Sequence, residues 1–273
     1  MASSRSAGGA ARRVRSMSEL QAIAPLVGWR LLWRLPLLLA YLLLLPFALL
    51  SFLPVIRNVP VAGMKLHMWV HRQWMRGLIR VCGVRLNVSG RLPGPPCLVV
   101  ANHISWFDIP VLHAIWPMGL VAKMEIRGWP LIGRLAEIAG TIFIQRGSQE
   151  SRQRVNRRMA ARLRRGDIIG VFPEGGISPE RGVQRFHARL FGSAIRAAVP
   201  IVPVAIRYWR DGDLHDVVVL APGLNLYSSA LRMLSYPAME VQVMIGPALV
   251  EHAIGRDALA RQSQQIVSAF YAS

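Results

Sequence analysis

The chain has 273 residues, 53% of them hydrophobic, and a formal net charge of +19. That length provides one sizeable core with an appendage, and the charge indicates an anionic partner, either nucleic acid or a membrane surface with acidic lipids. The chain has two cysteines, Cys82 and Cys97, and no CxxC pair, which argues against a disulfide framework and against a structural zinc site.

The first part of the chain divides into a polar tail and an apolar region. Residues 1–18 are small, polar and basic, and we predict a disordered basic tail over residues 1–24. We predict that residues 25–83 form a membrane-anchoring helical region, because residues 35–56 contain no charged side chain. As a helix, that run would span about 33 Å, roughly one hydrocarbon core. A cleaved signal peptide is disfavoured, because the run is long and no small-x-small site clearly follows it.

Two features leave the topology of this apolar run open. Three prolines interrupt it and allow a re-entrant insertion into one leaflet, namely Pro36, Pro46 and Pro54. Basic residues flank it on both sides, so the positive-inside rule gives no orientation. The similar flanks favour a segment whose two ends stay on the same face of the membrane.

Residues 62–83 are amphipathic, with Met and Trp side chains set against arginines, which is typical of a helix at a membrane interface. His67 and His71 are four residues apart and have the spacing of metal ligands. We favour a polar stripe over a metal site for these two residues, because no third ligand is nearby in the sequence.

From about residue 84 onward, apolar strand-like runs alternate with helical segments. Strands are predicted at 84–89, 97–101, 120–123, 141–145, 168–172, 201–207, 217–220 and 241–245. Helices are predicted to begin at Ser105, after Pro130 and at about Gln149. This order predicts an α/β fold, a mostly parallel mixed sheet flanked by helices, over residues 84–250. Residues 251–273 are predicted as a C-terminal helix.

The string Asn102-His103-Ile104-Ser105-Trp106-Phe107-Asp108 follows one of these strands and places a histidine and an aspartate five positions apart. Five residues of helix turn about 500°, so His103 and Asp108 would not share a helix face. They can meet if His103 ends the strand and Asp108 lies in the first turn of a helix capped by Ser105. Histidine accepts a proton near neutral pH, and aspartate can hold its tautomer.

Three polar residues follow three of the predicted strands: His103, Arg146 and Glu174. Because functional sites form at the carboxyl ends of parallel strands, we expect the three to converge. The sequence has no Gly-x-Ser-x-Gly elbow, no Walker loop and no Gly-x-Gly-x-x-Gly motif, and Cys97 lies inside an apolar strand. The chemistry that remains is general-base activation of a hydroxyl carried by the substrate.

The order of these motifs resembles that of the glycerolipid and lysophospholipid acyltransferases, typified by 1-acylglycerol-3-phosphate acyltransferase. Four blocks carry the resemblance, in family order: His103 with Asp108; Gly140, Phe143, Ile144 and Arg146; Phe172, Pro173, Glu174 and Gly175; and residues 199–204, Val-Pro-Ile-Val-Pro-Val. The resemblance covers about residues 98–204, with the blocks at family-like spacing, and the apolar region before them is similar to the membrane-anchored beginning of the family.

The resemblance implies a reaction and roles for individual residues. His103 would be the general base and Asp108 its orienting partner, while the fourth block would line a pocket or carry structure. The reaction would move an acyl chain from acyl-CoA or acyl-carrier protein onto a lysolipid hydroxyl, without a metal or organic cofactor. The implied substrate-binding residues are Arg146, which would bind the acceptor head group, with Glu174, Gly175 and Phe143.

One block departs from the family pattern. The third block usually continues Thr-Arg-Ser, whereas here Ile177 occupies the arginine position, so a bidentate phosphate contact is missing. Residues 185–190 differ from the usual Phe-Lys-x-Gly and look more like a bacterial branch that includes lyso-ornithine lipid acyltransferases. Arg185 or Arg189 is a candidate to replace the lost charge. From the motifs we place 1-acylglycerol-3-phosphate ahead of lyso-ornithine lipid as acceptor.

The predicted helix at 149–165 is rich in arginine, which fits either a solvated face or a docking surface for anionic headgroups or acyl-carrier protein. The expected partners are a bilayer with anionic lipids, a lysolipid and an acyl donor, with no nucleic acid. The expected location is the inner membrane, with the active site facing the cytosol. The alternative from another class is a basic, membrane-anchored nucleic-acid-binding protein, for which no recognition motif is present. A catalytically weak lipid-binding member of the family is a third possibility.

Overall fold

The structure is a computed structural model that describes residues 28–145, 149–177, 182–210, 213–214 and 226–272. Three predictions concern residues outside these ranges, namely the basic tail, the strand at 217–220 and the placement of Arg146.

The apolar region forms two helices, and the prolines at 36, 46 and 54 had left open such a break in the run. Helix α1 spans Trp29–Leu42 and helix α2 spans Leu45–Leu50, with a turn at residues 43–44 between them. The break falls just before Pro46, which has no N–H to continue the helical ladder, whereas Pro36 lies inside α1. After Leu50 the chain continues in turns. By length and composition, Trp29–Leu50 could cross a membrane, and only 6% of its most apolar window is buried inside the protein.

A short hairpin and a longer helix connect this region to the sheet. The hairpin pairs strand β1, Pro60–Val61, with strand β2, Met64–Lys65. Helix α3 spans Leu66–Val81, so the amphipathic helix predicted over 62–83 begins four residues later, because the hairpin occupies its start.

The central sheet contains eight strands among the described residues. Seven of them run in the order β3-β10-β8-β4-β7-β5-β6, and β9 pairs with β8. The strands are β3 Val84–Ser89, β4 Cys97–Ala101, β5 Gly119–Lys123, β6 Ile142–Ile144, β7 Ile168–Val171, β8 Ile201–Arg210, β9 Asp213–Leu214 and β10 Met239–Ile245. Strands β8, β4, β7, β5 and β6 are parallel to one another, and β10 is parallel to β3. Strand β8 is antiparallel to both β10 and β9. This arrangement confirms the predicted mostly parallel mixed sheet.

Helices cover both faces of the sheet. The remaining helices are α4 Asp108–Ile115, α5 Met124–Arg127, α6 Ile132–Ile138, α7 Gln149–Arg164, α8 Gly192–Ala197, α9 Leu226–Ser235 and α10 Gly255–Ala272, with 3₁₀ turns at Ala188–Phe191 and His252–Ile254. Side chains alternate along β4, so Cys97, Val99 and Ala101 join one core with α3, α4 and α9, while Leu98 and Val100 join the other with α7, α8 and α10. Every residue of β4 is buried, as expected for a parallel strand covered on both faces.

Helix α4 begins at Asp108, three residues after the predicted start at Ser105. The difference arises because residues 102–107 form a loop closed by the Asp108 carboxylate, which accepts the backbone N–H groups of Ile104 and Ser105. Ser105 still caps locally, since its Oγ accepts the N–H of Phe107 at 3.1 Å and its carbonyl accepts the N–H of Asp108 at 3.1 Å. The later helix start therefore follows from the local hydrogen bonds that close the loop before Asp108.

Candidate active site

The candidate site lies at the edge of the sheet where the parallel strands end. His103 follows β4 by two residues, and Glu174 follows β7 by three residues. Strands β4 and β7 are hydrogen-bonded parallel neighbours, so these residues meet at the same edge, as predicted from their positions after strands. A hydrogen bond joins them directly, because the backbone N–H of His103 donates to Oε2 of Glu174 at 3.3 Å.

His103 and Asp108 are in contact. Nδ1 of His103 lies 2.9 Å from Oδ2 of Asp108. An ionised carboxylate only accepts hydrogen bonds, so Nδ1 carries the proton and Nε2 of the neutral ring is the basic nitrogen. Nε2 has no hydrogen-bond partner within the part of the chain that the structure describes. The pair therefore has the geometry of an oriented general base.

The Asp108 carboxylate is completely buried and extensively hydrogen-bonded. Its Oδ2 accepts the N–H of Ile104 at 2.7 Å and that of Ser105 at 2.8 Å, besides the bond from His103. Its Oδ1 accepts the hydroxyl of Tyr208 at 2.7 Å. These donors compensate for the loss of hydration and fix the carboxylate in one orientation.

The His103 ring is positioned by an aromatic side chain as well as by Asp108. The ring stacks on Phe172, with 3.9 Å between ring centroids and 13° between ring planes. The His103 side chain is 14% exposed, so one part of the ring remains accessible. Phe172 belongs to the third sequence block, and nothing in the pattern of that block predicted the ring stacking.

Glu174 has an unusually basic carboxyl group for an acidic side chain. Burial raises its pKa to about 7, and the bonds from the N–H groups of His103 and Gln184 only partly offset this effect. Repulsion from Asp108 adds to the increase. Gly175 follows it with φ +83°, which favours glycine and makes the turn after the strand possible. Glu174 and Gly175 thus belong to the same cluster as His103.

Two predicted substrate-binding residues are not placed in this cluster. Phe143 lies in β6, three strands from β4 in the sheet order, which is about 14 Å at the usual strand spacing. Arg146 lies among residues 146–148, outside the described ranges. The two arginines proposed as substitutes, Arg185 and Arg189, are both exposed. The sheet order places Phe143 farther along the same edge rather than beside the base.

Several groups near the site were not foreseen from the sequence. Tyr208 in β8 contacts Asp108, and Nε1 of Trp106 donates to Oγ of Ser229 in α9 at 2.9 Å. Asn102 bonds Ile206 through both ends of its amide. Strand alternation could have placed residue 208 on the face of β8 that carries Val204 and Ile206. Nothing in the sequence linked that face to Asp108.

The sequence also raised a metal site and a cysteine nucleophile as questions. No group of three or more His, Cys, Asp and Glu side chains that could hold a metal ion occurs within the described ranges. His71 instead stacks on His113, with 4.7 Å between centroids. Burial raises the pKa of the Cys97 thiol to about 12, so this side chain is protonated and part of the core.

Comparison with known proteins agrees with this geometry. A family model described as Acyltransferase matches residues 85–207. The lyso-ornithine lipid O-acyltransferase of Pseudomonas aeruginosa is 41% identical over 196 residues, which cover 72% of this chain and 76% of the relative. The 1-acyl-sn-glycerol-3-phosphate acyltransferase of Neisseria meningitidis is 39% identical over 170 residues, covering 62% of this chain and 67% of the relative.

The fold also matches a solved structure. The crystal structure of the 1-acyl-sn-glycerophosphate (LPA) acyltransferase from Thermotoga maritima superposes with a TM-score of 0.67 and covers 89% of this chain and 96% of its own. Its sequence is 21% identical, so the likeness is one of fold.

These matches define the protein as an acyltransferase. More particularly, the chain belongs to the glycerolipid and lysophospholipid acyltransferase family, as its four sequence blocks indicated. Family membership thus identifies the protein as an enzyme. The relatives act in lipid acylation, and the apolar segment Trp29–Leu50 is consistent with a membrane protein.

Proposed function

We propose that the protein is a membrane-held O-acyltransferase that moves a fatty acyl chain from a thioester onto the free hydroxyl of a lysolipid, with His103 as general base. The observation that carries this proposal is the 2.9 Å contact between Nδ1 of His103 and the fully buried Asp108 carboxylate. That contact leaves Nε2 as the proton acceptor.

The chemistry follows from this tautomer. Nε2 of His103 takes the proton of the lysolipid hydroxyl while its oxygen attacks the thioester carbonyl carbon, giving a tetrahedral intermediate and an imidazolium ring. Asp108 stabilises that positive charge. The C–S bond then breaks, and the imidazolium returns the proton to the departing thiolate. The products are an ester and a free thiol, and no covalent enzyme intermediate or cofactor is needed.

Glu174 is suited to the acceptor side of this site. Its pKa of about 7 makes it partly protonated near neutral pH, so it can both donate and accept hydrogen bonds. It is held beside the base by the N–H of His103. We propose that Glu174, with the Gly175 turn, shapes the pocket for the lysolipid head group, and that Arg146 and Phe143 contribute farther along the same edge.

The acceptor we rank first is lyso-ornithine lipid. Two observations support it: Ile177 stands where a second phosphate-binding arginine would stand, and the relative from Pseudomonas aeruginosa carries that activity in its name. This order reverses the one suggested by the motifs alone. The second candidate is 1-acylglycerol-3-phosphate, supported by the relatives from Neisseria at 39% and 38% identity and by the exposed Arg185 and Arg189.

The location we propose is the inner membrane, with the active site facing the cytosol, where acyl-CoA and acyl-carrier protein are found. The exposed apolar side chains of α1 and α2 support insertion. Hydrophobic insertion is not screened by salt. High salt and carbonate should therefore leave the protein in the membrane fraction, and quantitative release by salt would show that charge alone holds it.

One assay tests the reaction and ranks the acceptors. Membranes containing the protein are incubated with labelled acyl donor, supplied as acyl-CoA or as acyl-carrier protein, and with each lysolipid in turn. Labelled diacyl product from lyso-ornithine lipid, and its absence with His103→Ala, is the expected result. Faster turnover of 1-acylglycerol-3-phosphate would reverse the ranking. No product from any lysolipid would overturn the proposed function.

A matched variant addresses the head group. Ile177→Arg restores the family residue and should increase the rate on the phosphate acceptor relative to the ornithine acceptor, because arginine offers two parallel hydrogen bonds to phosphate. Ile177→Leu is the control for the change of side chain without charge. An equal change in the rates on both acceptors would show that residue 177 does not discriminate between the head groups.

A further inference from the structure

Tyr208 lies outside all four family blocks, yet its hydroxyl is 2.7 Å from Oδ1 of Asp108. Its side chain is 2% exposed and belongs to the core on the α4 face of the sheet. Alternation along β8 puts Val204, Ile206 and Tyr208 on that face. Strand β8 thus places the phenol of Tyr208 beside the carboxylate of Asp108, which is 100 residues away in sequence.

The position of Tyr208 is fixed by a side chain of the catalytic loop itself. The pairing of β4 with β8 ends at Ala101 and Val204. Asn102 then continues it, since Nδ2 donates to the carbonyl of Ile206 at 2.9 Å and Oδ1 accepts the N–H of Ile206 at 2.8 Å. This pair of hydrogen bonds fixes the register of β8 against the loop that carries His103. The phenol two residues later therefore has a defined position.

The hydroxyl of Tyr208 is the donor in this contact. Burial and the charge of Asp108 raise the pKa of Tyr208 well above its ordinary value, so the phenol stays protonated. Oδ2 of Asp108 already accepts three hydrogen bonds. Tyr208 supplies the hydrogen bond to Oδ1, and no other described residue donates to that atom. Without it, one oxygen of a fully buried carboxylate would lack a donor.

We propose that Tyr208 is a positioning residue that sets the orientation and the basicity of His103 through Asp108. The inference rests on the proposed role of His103 as general base. A donor on Oδ1 draws negative charge away from Oδ2, which weakens the pull of Asp108 on the imidazolium proton. Loss of that donor makes His103 more basic and leaves Asp108 less firmly oriented.

The sign of the expected change follows from this argument. The acid limb of the pH profile of kcat/KM reports protonation of the essential base in the free enzyme. In Tyr208→Phe that limb moves to higher pH, because a more basic imidazole is protonated earlier as the pH falls. The plateau value of kcat falls about tenfold, the scale of one charge-assisted hydrogen bond lost from a catalytic unit.

Graded donors provide a second measurement that keeps the ring and the fold. Site-specific replacement of Tyr208 by 3-fluorotyrosine and 3,5-difluorotyrosine strengthens the phenol as a donor in steps. The acid limb should move to lower pH in the same order, opposite to Tyr208→Phe. This series remains decisive if the phenylalanine variant fails to fold, because the fluorinated rings are nearly isosteric with tyrosine.

Three controls separate this effect from others. Val267→Ala truncates a buried side chain on the opposite face of the sheet and should lower thermal stability without moving the acid limb. Tyr227→Phe removes an exposed phenol and should change nothing. Glu174, from the loop after β7, also titrates near this base, and His187 packs beside Gly175. Repeating Tyr208→Phe in the Glu174→Gln background assigns the shift to His103.

The outcomes distinguish this inference from the proposed function. Near-wild-type turnover of His103→Ala would remove the base, and with it the proposed function. If His103→Ala is inactive but the acid limb of Tyr208→Phe and of the fluorotyrosine series coincides with that of the wild type, the role of Tyr208 is overturned and the proposed function stands. Ordered, opposite shifts in the two kinds of variant support the inference.

Discussion

The loop of residues 102–108 and the segment Trp29–Leu50 satisfy opposite requirements. In the loop, polar groups are buried and hydrogen-bonded: Asn102, Ser105 and Asp108 are at most 1% exposed. In the segment, apolar groups are exposed, with Leu32 at 72% and Leu43 at 75%. The loop is built for a dry protein interior, where an unpaired polar group is costly. The segment has the exposed apolar surface that suits an apolar solvent, where an exposed leucine is not penalised.

This difference shows that the two regions are stabilised by different interactions. The loop depends on a few specific donors, since removal of one leaves a charged atom unpaired. The segment depends on summed apolar area, so single side chains matter little there. Arg34 is one exception, because it is a buried arginine in α1 whose Nη1 donates to the carbonyls of Leu234 at 3.2 Å and Tyr236 at 2.6 Å. It ties the segment to the end of α9.

The largest expected effect concerns the loop. His103→Ala should lower turnover by at least about 100-fold, the scale of losing a general base, while the protein remains folded and membrane-bound. Asp108→Asn should also be severe, because an amide no longer enforces the tautomer with Nε2 free. Turnover is measured with labelled acyl donor, and folding by thermal denaturation in detergent. His252→Ala, which replaces a histidine outside the site, serves as control. Near-wild-type turnover of His103→Ala would show that the loop does not depend on this side chain for catalysis.

The second prediction contrasts equal truncations in the two kinds of environment. Leu98→Ala in the fully buried β4 should reduce the free energy of unfolding by about 3 kcal/mol, through lost burial and a cavity. Leu39→Ala, at a position that is 55% exposed in α1, should change it by less than about 0.5 kcal/mol. Chemical denaturation in detergent measures both. Comparable losses would mean that the segment packs against protein rather than a surrounding apolar phase.

The third prediction tests the link between the two regions. Arg34→Met keeps the apolar stem but removes the donors to the end of α9, and should cost about 2 kcal/mol of stability. The guanidinium also lies against Gly83, where an added Cβ would come within 2.3 Å of Nη2. Gly83→Ala should therefore destabilise similarly, with strain added by its φ of +77°. Arg57→Met, an exposed arginine after the segment, is the matched control. An unchanged melting temperature of Arg34→Met would show that the hydrogen bonds of Arg34 do not stabilise the contact between α1 and the end of α9.

The smallest expected effect is the pH dependence contributed by Glu174. Its pKa rises from 4.5 to about 7 in the folded protein, so the folded state holds this proton more tightly than the unfolded state. The stability that Glu174 contributes is therefore complete below about pH 4.5 and is lost as the pH rises to about 7. Glu174→Gln lacks this titration. The difference in unfolding free energy between variant and wild type should change by about 1 kcal/mol between pH 5 and pH 8, which is less than the full pKa change implies because solvent partly screens this carboxyl.

Denaturation curves at the two pH values check this last prediction. Wild type should lose stability relative to Glu174→Gln as the pH rises. The opposite slope would show that hydrogen bonding to the carboxylate outweighs burial at this position. Glu150→Gln, an exposed carboxyl on α7, should give no comparable difference.

Much of this protein could be predicted from residue order. Alternation of apolar strands with helices predicted the mostly parallel sheet, because parallel strands need crossover connections. The same logic brought His103 and Glu174 to one edge, since residues that directly follow neighbouring parallel strands share that edge. The spacing of His103 and Asp108 predicted their contact for the correct geometric reason, although α4 begins later than expected.

The tertiary structure alone decided which distant groups complete the site. Tyr208 reaches Asp108 only because β8 lies beside β4 and Asn102 sets its register. The pKa of Glu174 depends on burial created by other segments. The order of β7 between β4 and β5 places Phe143 three strands from the base. Sequence patterns record local periodicity and the ends of elements, whereas strand order, register and burial arise from contacts between residues far apart in the chain.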